Sequence, residues 1–181
     1  MARSLTIDKT TITDDGDCYV IAEIGHNHQG SLEKAIALVT AAAQCGASAV
    51  KLQKRDNRML YVRSMYDKPY ENENSYGATY GEHREALEFG KAEYRELQAH
   101  ARQLGLDFFA TAFDFASADF LHEFDVPAYK LASGDLKNIP LMKHVAGFRK
   151  PMIMSTGGAT MEDIRRAYDA VMPINPQICI L

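Results

Sequence analysis

From Cys18 onward the chain alternates short, almost wholly apolar runs with longer amphipathic stretches. The short runs are Cys18–Ile24, Ala47–Gln53, Asp107–Ala112, Pro127–Ala132 and Met152–Met154. Strands buried on both faces of a parallel sheet carry this pattern. Between them, residues 32–44, 91–104, 115–123, 139–147 and 161–171 show helical spacing with end signals. Ser31 suits an N-cap, with Glu33 in the first turn, and Gly46 and Gly105 follow helix ends. Pro140 fits a first turn, and Thr160-Met161-Glu162-Asp163 is a capping box with Asp in place of Glu. Gln177 to Leu181 opens one more strand.

Residues 1–15 precede this alternation. Leu5, Ile7 and Ile12 stand among Thr, Asp and Lys, which predicts a hairpin turning near Asp8-Lys9. Asp14-Asp15-Gly16-Asp17 faintly resembles a calcium loop but lacks the later ligands, and reads as a turn. The pattern breaks once more, from Lys54 to Phe89, a polar stretch holding Tyr61, Tyr66, Tyr70, Tyr76 and Tyr80. Its tyrosines argue against disorder. It reads as an ordered, substrate-facing excursion with a short helix near its end.

Strict strand–helix alternation over residues 16–181 implies a parallel sheet with helical crossovers. A doubly wound sheet would gather ligand groups at one switch point. Here polar groups recur at the ends of successive strands: Glu23, Lys51 with Gln53, Thr111, Lys130 with Ser133, and Ser155. That recurrence favours a (β/α)8 TIM-type barrel, which typically needs ~250 residues. The chain supplies five βα units and part of a sixth strand, so a partial barrel is expected.

Composition changes this picture little. Of 181 residues, 46% are hydrophobic and 24% charged, and the formal net charge of −4 speaks against a nucleic-acid surface. Cys18, Cys45 and Cys179 lie in apolar runs and are expected to be buried, reduced thiols, which fits a cytoplasmic protein. No secretory leader is visible, and no run approaches the ~18 apolar residues of a membrane span.

The strand ends suggest chemistry. A lysine within an apolar strand is costly to bury unless an anion meets it. Lys51 and Lys130 at one barrel mouth would hold a phosphate or carboxylate, with Thr111, Ser133 and Ser155 as neutral donors. Gly157-Gly158 would let backbone N–H groups approach an anion. Glu23 reads either as a buried structural carboxylate or as a group that positions water or takes a proton. Gln53 and Asp135 could bind sugar hydroxyls or assist proton transfer. His26 and His28 form H-x-H, which either contributes to a metal site or orders its loop.

Several motifs, in this order, carry a resemblance: Val20-Ile-Ala-Glu-Ile-Gly-His-Asn-His-Gln-Gly30, Val50-Lys-Leu-Gln53, Tyr129-Lys-Leu-Ala-Ser-Gly-Asp135 and Met154-Ser-Thr-Gly-Gly158. Together they resemble the sialic acid synthase family, over residues 18–181. Asn74-Ser-Tyr-Gly-Ala-Thr-Tyr-Gly-Glu-His83 and Tyr94-Arg-Glu-Leu-Gln98 look like its animal-type branch. The resemblance implies condensation of phosphoenolpyruvate with an N-acetylated hexosamine aldehyde, releasing phosphate. It implies that Lys51, Thr111, Lys130, Ser133 and Ser155 bind phosphoenolpyruvate, and that Glu23 lies near the reacting centre. It implies that Gln53 and Asn74 contact the sugar. Asp135 stands where some members carry Glu. A divalent metal, Mn2+ or Mg2+, would polarise the aldehyde.

On the same resemblance, the metal-binding histidines lie beyond Leu181. So does a C-terminal antifreeze-like domain that lends an arginine to the partner subunit of a homodimer. Residues 1–181 alone are therefore expected to be inactive. Two other readings use the same residues: a Schiff-base pyruvate aldolase built on a barrel lysine, and a non-catalytic binding or assembly module.

Overall fold

The computed structural model describes residues 3–181; residues 1 and 2 of the expected hairpin lie outside the described residues. Strand β1 (Ser4–Ile7) pairs antiparallel with β2 (Thr10–Thr13), and Asp8 turns the chain in the left-handed region. Ile7 is fully buried in the main core.

Six strands follow: β3 (Ile21–Gly25), β4 (Ala49–Lys54), β5 (Asp107–Ala112), β6 (Tyr129–Leu131), β7 (Met152–Met154) and β8 (Ile178–Ile180). They pair in sequence order and all in parallel. The order never reverses, so there is no switch point of the doubly wound kind; the sheet is an arc of a barrel wall. Helices α1 (Leu32–Gln44), α5 (Lys91–Gln103), α6 (Phe115–Glu123), α7 (Ile139–Gly147) and α8 (Met161–Val171) make the crossovers. The short α2 (Asn57–Leu60), α3 (Arg63–Tyr66) and α4 (Tyr80–Glu85) lie in the excursion. Among the described residues no helix is long and apolar enough to cross a membrane.

Helix ends follow the sequence signals. Ser31 accepts from the Lys34 backbone N–H, Asn138 from that of Leu141, and Thr160 and Asp163 cap reciprocally. The apolar faces of these helices close a core around Leu97, Leu121, Leu141, Tyr129 and Phe108.

The structure corrects two expectations. The first parallel strand begins at Ile21, not Cys18, and Val20 just before it is exposed. The cysteines are not buried: Cys18 and Cys45 are exposed and Cys179 is half-buried. Cys18 falls in the connector ahead of β3, and Cys45 is the outward-facing C-cap of α1, so an apolar neighbourhood in sequence did not become a core position. The excursion has the expected short helix near its end, α4, and two more besides, α2 and α3. Its interior is aromatic: the ring centroids of Tyr61 and Tyr80 lie 5.1 Å apart, and those of Tyr70 and His83 lie 4.6 Å apart.

The excursion leaves and rejoins the wall at one place. Lys54 Nζ donates to the Phe89 carbonyl at 2.9 Å and to Glu88 Oε2 at 3.2 Å, and the Arg55 backbone N–H donates to the same Glu88 oxygen at 3.2 Å.

Candidate functional site

Register decides which side chains meet. Glu23 is paired with Lys51, Lys51 with Phe109, Gln53 with Thr111, and Thr111 with Lys130. Lys130 in turn pairs with Ile153, two residues before Ser155. Because side chains alternate along a strand, these residues share one face of the sheet, and the polar ones sit at its C-terminal end. The neighbouring positions Val50, Leu52, Phe108, Ala110 and Leu131 face the helices and are buried.

Two buried cations define the cluster. Lys51 is 6% exposed; its ammonium pairs with Glu23 Oε2 and donates to Thr111 Oγ1 at 2.8 Å. Lys130 is 9% exposed and donates to Ser155 Oγ at 2.6 Å and to its neighbour Leu131's carbonyl at 2.7 Å. Burial pushes Lys130 down to about 8, with the positive charge of Lys51 acting the same way and Glu23 and Asp135 opposing. Burial lowers Lys51 as well, against the pull of Glu23. Glu23 is not a buried structural carboxylate, since half of its side chain is open to solvent. It is an accessible anion resting on a buried cation.

Beside these groups a 3-10 turn, Ser133–Asp135, follows β6. Burial raises the Asp135 carboxyl to about 6; Asp114 pushes the same way, while Arg55 and Lys130 oppose it. A carboxyl near 6 can both give and take a proton at neutral pH. Ser133 sits against the loop after β7: a Cβ at Gly157 would lie 3.6 Å from Ser133 Oγ. Gly25 takes φ +56°, and a Cβ there would lie 3.3 Å from Glu23 Oε1 and 3.6 Å from Gln53 Nε2. A glycine at this β-bulge leaves room between those two side chains.

Gln53 leads to a residue that sequence reasoning missed. Its Oε1 accepts from Arg55 Nη2 at 2.7 Å. Arg55 is 8% exposed, and its guanidinium lies over the Phe113 ring, 3.7 Å from the centroid. Glu88, also missed, is ringed by basic side chains: Lys54 Nζ at 3.2 Å, His26 Nε2 at 3.3 Å and Arg55 Nη1 at 4.0 Å. Burial alone would raise Glu88; the approach of His26 and the charge of Lys54 reverse this, and its carboxyl lies below its ordinary value.

His28 is buried, stacked on Phe89 with centroids 4.0 Å apart, and its Nδ1 accepts from the Gly30 N–H at 3.1 Å. Burial pushes it down to about 4, so it is neutral and orders its loop. Among the described residues no three His, Cys, Asp or Glu side chains are grouped to hold a metal ion.

Asn74 is exposed within the excursion and, among the described residues, has no side-chain hydrogen bond to the cluster; only its backbone N–H is engaged, by Asn72 Oδ1 at 2.9 Å. A cavity of about 660 Å³ lies at the opposite end of the strands, bordered by Lys9, Arg102, Asp107, Asp125 and Lys150, away from every site residue named above.

A model described as the NeuB family matches residues 38–181. The N-acetylneuraminate-9-phosphate synthase of Mus musculus is 40% identical over 164 residues, which cover 91% of this chain and 46% of that protein. The N,N'-diacetyllegionaminic acid synthase of Legionella pneumophila is 37% identical over 157 residues, 86% of this chain and 44% of its own length. The solved N-acetylneuraminic acid (sialic acid) synthetase of Leptospira borgpetersenii, in complex with citrate, is 26% identical. It superposes with a TM-score of 0.84 over 99% of this chain and 59% of that one. The chain thus spans about half the length of the curated relatives it matches.

Proposed function

Because this chain belongs to the NeuB family, we propose that the complete protein condenses phosphoenolpyruvate with an N-acetylated hexosamine, N-acetylmannosamine or its 6-phosphate, to give a nonulosonic acid and free phosphate. The observation that carries this reading is the pair of buried lysines on one sheet face, each bonded to a hydroxyl at the same end: Lys51 to Thr111 and Lys130 to Ser155. A small dianion is the ligand that would repay burying two ammonium groups.

In this reading Lys51, Thr111, Lys130, Ser133 and Ser155 hold the phosphate and carboxylate of phosphoenolpyruvate. The ligand competes with Glu23 for the Lys51 ammonium, which frees the Glu23 carboxylate to orient the attacking water. Carbon 3 of the enol attacks the sugar aldehyde and water attacks carbon 2; the carbon–oxygen bond to phosphate then breaks. In the same reading Asp135, near 6, gives its proton to the aldehyde oxygen as it becomes a hydroxyl. Gln53 and Asn74 are assigned to the sugar; Asn74 would reach it only if its part of the excursion folds over the mouth.

When bound, a divalent metal, Mn2+ or Mg2+, would polarise the aldehyde. No residue of this chain is assigned to it, since its histidines are expected beyond Leu181. The complete protein is proposed to be a cytoplasmic homodimer.

The test is to incubate the complete protein with phosphoenolpyruvate and each aminosugar, and to follow phosphate release and the sugar acid formed. The lowered Lys130 also suits an imine-forming lysine. Borohydride trapping with pyruvate separates the two: a covalent adduct at Lys130 without phosphate release would replace the synthase reading by the aldolase one.

A further inference from the structure

We propose that Arg55 is a positioning residue that locks the Gln53 amide, so that Gln53 meets the sugar only as a hydrogen-bond donor. This rests on the assignment of Gln53 to the aminosugar made above.

A glutamine amide carries an acceptor on one side and donors on the other, and turning it by a half-circle exchanges them. A guanidinium has donors alone. Arg55 Nη2 lies 2.7 Å from Gln53 Oε1, so the oxygen must face Arg55 and the –NH2 must face away. That –NH2 is directed to the Gly25 side, where a Cβ would come within 3.6 Å of it, and beside Glu23. Among the described residues it has no hydrogen-bond partner of its own.

Arg55 is itself held from three sides. Its guanidinium lies over Phe113, Nη1 is 3.3 Å from His26 Nε2 and 4.0 Å from Glu88 Oε1, and its backbone N–H donates to Glu88 Oε2. At 8% exposure it has little freedom to release Gln53. A ligand atom opposite Gln53 must therefore be an acceptor oxygen, such as a sugar hydroxyl or the carbonyl of an N-acyl group. An ammonium opposite Gln53 would meet a donor there, with only Glu23 to accept from it.

The experiment is a double-mutant cycle in the complete protein, with KM measured separately for the aminosugar and for phosphoenolpyruvate. Arg55→Met is expected to raise the aminosugar KM about tenfold, the worth of one well-placed hydrogen bond, with a smaller change for phosphoenolpyruvate. Gln53→Met should raise it similarly, and Arg55→Met should add nothing in that background, because Arg55 acts through Gln53. Additive effects, or equal effects on both substrates, would overturn the proposal. Should Arg55→Met fail to fold, Gln53→Glu keeps Arg55 satisfied while deleting the donor, and an unchanged aminosugar KM would overturn it as well. No turnover by the wild-type protein overturns the synthase reading and this inference together; normal wild-type turnover with an additive cycle overturns this inference alone.

Discussion

Lys130 Nζ donates to Ser155 Oγ at 2.6 Å across β6 and β7, and its other protein acceptor is the carbonyl of Leu131. Among the described residues the ammonium is thus held by neutral oxygens alone, with Glu23 and Asp135 acting only at a distance. An anionic ligand would supply the missing countercharge. Lys130→Met is expected to weaken phosphoenolpyruvate binding to the complete protein by roughly 2–5 kcal/mol, whereas Lys143→Met, exposed on α7, should change it little. Calorimetric titration reads both; equal losses would mean a diffuse attraction rather than this site.

Asp135 and Lys130 also set a pH dependence of stability. The folded Asp135 carboxyl holds its proton to about 6 against an ordinary 3.8, so the fold binds more protons than the unfolded chain between these values and stability falls as pH rises through them. The folded Lys130 loses its proton near 8 against an ordinary 10.5, so stability rises as pH climbs from about 8. Both penalties coincide from about pH 6 to pH 8. The double variant Asp135→Asn, Lys130→Met should therefore gain most over the wild type in that window, on the order of 1–2 kcal/mol after allowing for solvent screening. Thermal melts from pH 4 to pH 10 check this; a gain flat with pH would contradict it.

Glu88 makes the opposite case, a buried carboxylate with basic side chains on several sides. Glu88→Gln leaves His26, Lys54 and Arg55 gathered around a neutral amide. The expected loss is about 3 kcal/mol, visible as a lower urea midpoint. A loss under about 0.5 kcal/mol, typical of an exposed surface site, would show that the cations find solvent instead.

Backbone strain gives a fourth check. The turns that lead from helix to strand contain Gly46, Gly105, Asp125 and Arg149, all with positive φ. A Cβ at Gly105 meets no atom within 4 Å, so Gly105→Ala isolates the backbone term and should cost about 1 kcal/mol. Arg149→Gly should be neutral or slightly stabilising. Chemical denaturation of the two variants reads the contrast.

The wall of this fold was legible because parallel strands buried on both faces leave unbroken apolar runs, and because caps such as Ser31 and Thr160 mark helix starts with local chemistry. Lys51, Thr111, Lys130 and Ser155 were legible for a related reason: a polar side chain inside such a run has few places to go. Arg55 and Glu88 were not. Lys54-Arg55-Asp56 has the composition of a solvated loop, and what buries Arg55 is Phe113 from the end of β5 and Glu88, 33 residues on. Those meetings depend on the whole sheet order, which no local window contains. The cysteines failed for the reverse reason, since hydrophobic neighbours in sequence do not say which way a connector or a cap faces.

The fastening of Lys54 and Arg55 to Glu88 and Phe89 has a consequence for how such a protein can change. Residues 56–87 start and finish at a single clasp on the barrel wall, so most of their length can change without moving the ends that the strands hold. Lengthening a loop whose ends are already joined costs little, since closure entropy grows only with the logarithm of length. The stretch is thus an exchangeable cassette. If the proposed synthase reading holds, choice among aminosugars can drift, or be engineered by grafting, within the clasp, while the buried lysine pair beneath it stays the same.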